Sequence, residues 1–194
     1  MKRFPDSGRY DPDQVYQPEA DTYLLLDAAQ NEIRPTDRVL EIGTGTGYIG
    51  SRLTGYASLV ATDINPHACL AAKEKGLTVV RTDMFDGICG CFDLVIFNPP
   101  YLPTQDDERI SDWLEYALDG GPAGRSTITR FIQGVSRVLA PGGRVLLLIS
   151  SLTGAGEVAE LFREQSFDTD IVARRKIFDE WLFVMNAWRT RSVT

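Results

Sequence analysis

Asn98-Pro99-Pro100-Tyr101 ends the apolar run Phe92-Asp93-Leu94-Val95-Ile96-Phe97, and its residue types define a small chemical surface. Two successive prolines hold the backbone extended, bias Asn98 toward the same region and remove two N–H donors, leaving the neighbouring carbonyls open as acceptors. A planar –NH2 group, from an amide or an amino-purine, could donate to the Asn98 side-chain oxygen and to the Pro99 carbonyl. Its flat face would rest on the Tyr101 ring. The nitrogen would then point at an electrophile, which is the arrangement that methyl transfer to nitrogen needs. The tetrad also reads as a strand end turned by prolines for packing alone, so its meaning depends on a partner motif.

That partner is Val39-Leu40-Glu41-Ile42-Gly43-Thr44-Gly45-Thr46-Gly47, a β-type run breaking into alternating glycines before Tyr48-Ile49-Gly50-Ser51-Arg52-Leu53. A strand, glycine loop and helix start in this order let a nucleotide-like ligand approach the backbone and the free N–H groups of a helix N-terminus. Gly45-Thr46-Gly47-Tyr48-Ile49-Gly50 also satisfies the dinucleotide pattern G-x-G-x-x-G, which would suit a nicotinamide cofactor. Two features tilt the reading toward S-adenosylmethionine. Glu41 stands before the glycines, where an acid suits a cationic amino-acid moiety, and the tetrad downstream has no use in hydride chemistry.

These residues need elements to hold them. The sequence predicts a lead helix over residues 15–30, with Pro18 before it and Tyr23, Leu24, Leu25 and Leu26 along it, packed on a sheet and closing the pocket. Strands follow at Arg38 to Ile42, Ser58 to Thr62 ending at Asp63, Thr78 to Arg81, and Phe92 to the tetrad. Asn65-Pro66 supplies an N-cap and first-turn proline for a helix through Lys75. Ile128, Phe131, Ile132, Val135, Val138 and Leu139 repeat at helical spacing, with Ala140-Pro141-Gly142-Gly143 as the stop. A strand over Arg144 to Ser150, a helix over Glu157 to Gln165, and two strands around Ile171-Val172 and Trp181 to Trp188 complete the chain. Alternating strands and helices imply an α/β fold, a mostly parallel seven-stranded sheet with helices on both faces and a C-terminal antiparallel hairpin.

In such a sheet ligands sit beyond the C-terminal strand ends, where strand order reverses. Glu41 and the glycines, Asp63, Asp83 and Asn98 all fall there. Asp63 lies about twenty residues past the first glycine, where a carboxylate can accept from ribose hydroxyls; a capping acid is its other reading. Asp83 could accept an adenine amino group with Met84 or Phe85 over the ring, or it could stabilise a turn.

At 194 residues the chain is expected to form one domain over 1–194, with 1–14 a flexible start. Asp and Glu total 27 against 20 Lys and Arg, a net charge of −7, which opposes tight binding to a phosphate backbone and argues against nucleic acid as a partner. Arg174-Arg175-Lys176 reads as a solvated strand edge. Cys69, Cys89, Cys91 and the single His67 make no ligand pattern for a metal. Met1-Lys2-Arg3-Phe4-Pro5-Asp6 lacks an apolar signal core, and Val145-Leu146-Leu147-Leu148-Ile149 is too short to span a bilayer, so no membrane association and a cytoplasmic location are expected.

With the glycine loop, the acids, the tetrad and Leu139-Ala140-Pro141-Gly142-Gly143 in this order, the chain resembles the class I S-adenosylmethionine-dependent methyltransferases, which are Rossmann-like. Val15-Tyr16-Gln17-Pro18-Glu19-Ala20-Asp21-Thr22, the tetrad and Asp119-Gly120-Gly121-Pro122-Ala123-Gly124-Arg125 narrow this. They resemble the HemK-type release-factor glutamine N5-methyltransferases, in their short archaeal and eukaryotic branch. The resemblance implies as substrate the glutamine of the Gly-Gly-Gln motif of a class I peptide-release factor, and as possible partner a small zinc-binding activator subunit. It also implies roles: Glu41, Gly43, Gly45 and Gly47 at the methionine end of the cofactor, Asp63 at its ribose, Asp83 and Met84 at its adenine, and Tyr16 and Thr22 closing the pocket. Asn98 and Pro99, with Pro100 and Tyr101, would orient the amide, and Asn98 would also border the cofactor. Pro122 departs from the family pattern, which usually has an N–H there. Alternative acceptors are a nucleic-acid amino group or a protein lysine, and a non-catalytic cofactor-binding subunit is a further alternative. The segment Leu102 to Arg125, with Asp106-Asp107-Glu108 and Trp113, reads as the substrate-facing element or as a solvated charged stretch.

Overall fold

A computed structural model of the chain describes residues 9–55, 57–103, 112–114 and 117–190. The acids Asp106-Asp107-Glu108 lie outside the described residues, as do residues 1–8 of the expected flexible start. From Asp11 onward that start is folded. Pro12–Gln14 form a 3-10 turn, the Asp11 amide donates to His67 Nδ1 at 3.0 Å, and Asn65 Nδ2 donates to the Gln14 carbonyl at 2.7 Å.

The elements run α1 (Ala20–Glu32), β1 (Arg38–Ile42), α2 (Tyr48–Leu53), β2 (Ser58–Asp63), α3 (Pro66–Glu74), β3 (Thr78–Arg81), β4 (Phe92–Phe97), α4 (Ser126–Val135), β5 (Leu139–Ser150), α5 (Ala155–Glu164), β6 (Phe167–Ile177) and β7 (Glu180–Arg189). The strands form one seven-stranded sheet in the order β3-β2-β1-β4-β5-β7-β6. β1 to β5 are parallel; β7 pairs antiparallel with both β5 and β6, the expected C-terminal hairpin.

The sheet has an apolar core on each face, and strand alternation explains both. Leu40, Val95, Phe97, Val145 and Leu147 point to one side, against Ile128, Phe131, Ile132 and Val135 of α4 and Val158 and Phe162 of α5. Their neighbours Val39, Leu94, Ile96, Leu146 and Leu148 point to the other, against Leu24, Leu25, Ala28 and Ala29 of α1, Ile49 and Leu53 of α2 and Ala72 of α3. Continuous apolar runs are therefore what a strand with two covered faces requires. β6 lies at the edge, where exposed Arg174, Arg175 and Lys176 discourage further strand addition.

Three boundaries differ by four or five residues from the sequence reading, while α5 starts two residues earlier than expected, at Ala155. The lead helix begins at Ala20, not at residue 15: Val15 and Glu19 are extended and nothing between them is helical. Val138 and Leu139 are not helical. α4 stops at Val135, and the Phe92 amide takes the Val138 carbonyl at 2.7 Å, so backbone pairing with β4 draws these residues into the sheet. Ala140-Pro141-Gly142-Gly143 accordingly lies within β5, at the register shift between Phe92 and Leu94, instead of ending a helix. Among the described residues no helix is long and apolar enough to cross a membrane.

Candidate active site

Strand order reverses between β1 and β4, and there, beyond their C-terminal ends, lies a cavity of about 500 Å³. Tyr16, Thr22, Glu41, Gly43, Gly45, Asp63, Asp83, Met84, Asn98, Pro99, Pro100 and Tyr101 all line it. Two residues singled out in the sequence for this pocket do not. Phe85, offered with Met84 as a cover for the adenine, is buried in the core against Phe131, because its side chain faces α4 and not the cavity. Gly47 stands behind the loop. It is the N-cap of α2, in the left-handed region at φ 73°, and a Cβ there would stand 2.8 Å from Ala72 Cα, so it serves helix packing beneath the loop.

The glycine loop is braced from two sides. Asp63 Oδ2 accepts from the Gly45 amide at 2.9 Å and Oδ1 from the Asn65 amide at 2.9 Å. Its carboxyl is pushed up to about 6 by loss of solvent, against which these backbone bonds pull. Glu41 is buried behind the loop and accepts from Thr44 Oγ1 at 2.8 Å. Burial raises its carboxyl to about 8, so it is mostly protonated at neutral pH, and the Thr44 bond only partly offsets this. Asp83 pairs with Arg130 Nη2 at 2.7 Å on exposed ground, beside Met84, whose φ of 51° is unusual for its residue type.

β1 and β4 run in register with Ile42 opposite Phe97, so Gly43 and Asn98 leave neighbouring strands at the same level. Pro99 and Pro100 are buried. Asn98 Oδ1 is buried and finds no hydrogen-bond partner among the described residues, an expense proteins rarely leave uncompensated unless a ligand supplies the donor. The tetrad is clamped from outside by residues 119–125. The Gly120 amide donates to the Leu102 carbonyl at 3.0 Å, and Gly124, at φ 65°, packs so closely that a Cβ would collide with the Tyr101 carbonyl oxygen. Pro122 sits on the exposed outer turn of this clamp, where its missing N–H costs nothing visible; the amides of Gly121 and Gly124 make the internal bonds. From the segment Leu102 to Arg125, Leu102, Trp113, Ala117 and Leu118 reach the cavity wall, and the Arg81 guanidinium lies 5.6 Å from the Trp113 ring centroid.

Sequence reasoning missed Asp21. It is buried, at 3% exposure, in the first turn of α1, and its Oδ2 accepts from the hydroxyls of both Tyr16 at 2.9 Å and Tyr101 at 3.3 Å. Burial, and then the Asp21 charge, push both phenols well above the ordinary tyrosine range, so both remain protonated donors. The local hint was an acid on a helix whose buried side is, apart from Asp21 and Thr22, apolar. Its second partner stands 80 residues away.

Residues 17–114 match the family model of the methyltransferase small domain. A candidate protein N5-glutamine methyltransferase of Methanocaldococcus jannaschii is 41% identical over 184 residues, covering 91% of this chain and 92% of the relative. A release factor glutamine methyltransferase of Deinococcus radiodurans is 34% identical over 159 residues, 74% of this chain and 57% of the relative. Among solved structures, the E. cuniculi Mtq2–Trm112 complex, responsible for methylation of the eRF1 translation termination factor, contains a chain of 31% identity that superposes with a TM-score of 0.78, covering 91% of this chain and 99% of that one. With a switch-point cavity, a glycine cradle and an unpartnered asparagine oxygen beside a Pro-Pro-Tyr turn, the chain belongs to the HemK/Mtq2-type release-factor glutamine N5-methyltransferases, enzymes that use S-adenosylmethionine.

Proposed function

We propose that this protein methylates the side-chain amide of the glutamine in the Gly-Gly-Gln motif of a class I peptide-release factor. The observation that carries the reading is Asn98 Oδ1, a buried acceptor that finds no donor among the described residues, at the wall of a cavity that the glycine loop also lines. An amide –NH2 is a group that satisfies it. The related proteins named for release-factor glutamine methylation support the same substrate.

The residues fit S-adenosylmethionine. Gly43 and Gly45 leave room for the methionine portion, Asp63 spends two contacts on the backbone and keeps acceptor capacity for ribose hydroxyls, and Asp83 with Met84 stands where the adenine would lie. Tyr16 and Thr22, which line the cavity, would close over the cofactor. When bound, the cofactor supplies a methyl group made electrophilic by a positively charged sulfur. The protein's task is alignment of the acceptor nitrogen with that methyl. Asn98 Oδ1 and the Pro99 carbonyl accept from the two amide protons, which draws the nitrogen lone pair out of conjugation and stabilises the charge that develops there. Tyr101 supports the amide plane. Leu102 and Trp113 at the cavity wall would meet the polypeptide around the glutamine.

A protein subunit belongs to this reading as well. The E. cuniculi relative was solved as a complex with Trm112, and the small zinc-binding subunit that the sequence resemblance implies would be a partner of this chain in the same way. The test is mass spectrometry of a class I release factor incubated with the protein and S-adenosylmethionine, with and without such a subunit, beside lysine-rich peptide and nucleic-acid controls. One methyl group on the Gly-Gly-Gln glutamine is expected. Label on lysine or a base, with none on the release factor under either condition, would refute the assignment.

A further inference from the structure

We propose that Asp21 is a positioning residue for methyl transfer, using one carboxylate oxygen to hold the tyrosine on the cofactor side and the tyrosine on the acceptor side in a single setting. The proposal rests on the reading above, in which Tyr16 covers the cofactor and Tyr101 supports the amide.

The geometry is unusual for a carboxylate in the first turn of a helix. Such an acid ordinarily points to solvent and interacts with the helix dipole and free N–H groups. Asp21 does the local part with Oδ1, which takes the amide and hydroxyl of Thr22. Its Oδ2 instead gathers two phenols from separate parts of the chain: Tyr16 from the extended segment before α1, and Tyr101 from the end of the tetrad. Among the described residues no ion pair involves Asp21, so hydrogen bonds alone compensate a carboxylate that is almost wholly out of water. A buried charge held this way is costly unless every bond is made, which gives each phenol one strongly preferred position. Because the acceptor oxygen is shared, moving either ring alters the charge density and the space offered to the other. The cover over the cofactor and the platform under the amide are therefore set together.

The full-length protein tests this through Asp21→Asn, Tyr16→Phe and Tyr101→Phe, alone and in pairs. Calorimetric affinity for S-adenosylhomocysteine reads the cofactor side, the single-turnover rate on the release factor at saturating S-adenosylmethionine reads the acceptor side, and thermal melting reads the fold. Loss of a bond to a charged acceptor corresponds to roughly a tenfold effect or more. Tyr16→Phe is expected to weaken cofactor binding, Tyr101→Phe to slow transfer, and Asp21→Asn to do both by about tenfold each. Once Asp21 is Asn, removing either hydroxyl should add little. A lowered melting temperature with affinity and rate both within about twofold of wild type would overturn the proposal and leave Asp21 a helix stabiliser. So would effects of Asp21→Asn and the tyrosine changes that simply add. Should Asp21→Asn fail to fold, the Tyr16→Phe/Tyr101→Phe pair decides: coupled effects support the shared oxygen, and independent ones refute it. If wild-type protein transfers no methyl to the release factor, the substrate assignment falls, and the affinity measurements, which need no acceptor, still judge Asp21.

Discussion

Two residues near the glycine loop make opposite demands on a mutagenesis experiment. Asn98 spends its side-chain oxygen on nothing within the described chain, so Asn98→Ala should fold normally and bind cofactor within about twofold of wild type, while single-turnover transfer falls about a hundredfold or more. Calorimetry and rapid-quench kinetics on one preparation separate the two effects; weakened cofactor binding would place Asn98 in the donor pocket instead. Glu41 is the contrary case. Its folded carboxyl is raised from 4.5 to about 8, so the native state holds a proton that the unfolded chain has released over that range, and stability falls as pH rises between those values. Glu41→Gln replaces a mostly protonated acid by a neutral isostere. Urea titrations at pH 5.5 and 8 should show wild type losing roughly 1–3 kcal/mol across the interval and the variant losing clearly less. The expectation that Glu41 reaches a cationic ligand came from its place before the glycines. Burial and the Thr44 bond make it, first of all, a brace for the loop.

At the scale of elements, the catalytic turn depends on a clamp it does not contain. Gly124 combines a left-handed φ with contact on the Tyr101 carbonyl, so Gly124→Ala should cost about 1–3 kcal/mol of stability and lower transfer as the tetrad shifts, measured by melting and turnover together. Much of this architecture was legible beforehand. β1, β4 and the body of β5 are apolar runs, two of them bounded by glycine or proline, and the start of α3 is written in Asn65-Pro66, whose Oδ1 does accept from the His67 amide at 2.9 Å. What misled was competition between local and distant partners. Val138 and Leu139 keep helical spacing with Val135, yet their backbone is claimed by Phe92, more than forty positions earlier in the chain. Asp21 was invisible for the same reason. A helix-start acid and a tetrad tyrosine carry no mark of each other until β4 returns beside β1. Tyr16, Asp63 and Asn98 could be picked out because their motifs are contiguous.

Across the whole molecule, the end of the sheet opposite the cavity is held by one buried cation. Arg144, where β5 begins to pair with β7, reaches Asp37 Oδ2 at 2.8 Å, the Asp93 carbonyl at 3.2 Å and the Glu32 carbonyl, joining the end of α1, the approach to β1 and the start of β4. Arg144→Met would strand the buried Asp37 carboxylate and is expected to cost about 3–5 kcal/mol in denaturant unfolding, with little change in cofactor affinity of the folded fraction. At the cavity end the pairing of Ile42 with Phe97 has a different consequence. The cradle for the donor and the platform for the acceptor issue from adjacent strands of one rigid sheet, with no hinge between them. Much of the orientational entropy lost in lining up a nitrogen with a methyl group is thus surrendered when the chain folds, once per molecule, and not again at every turnover.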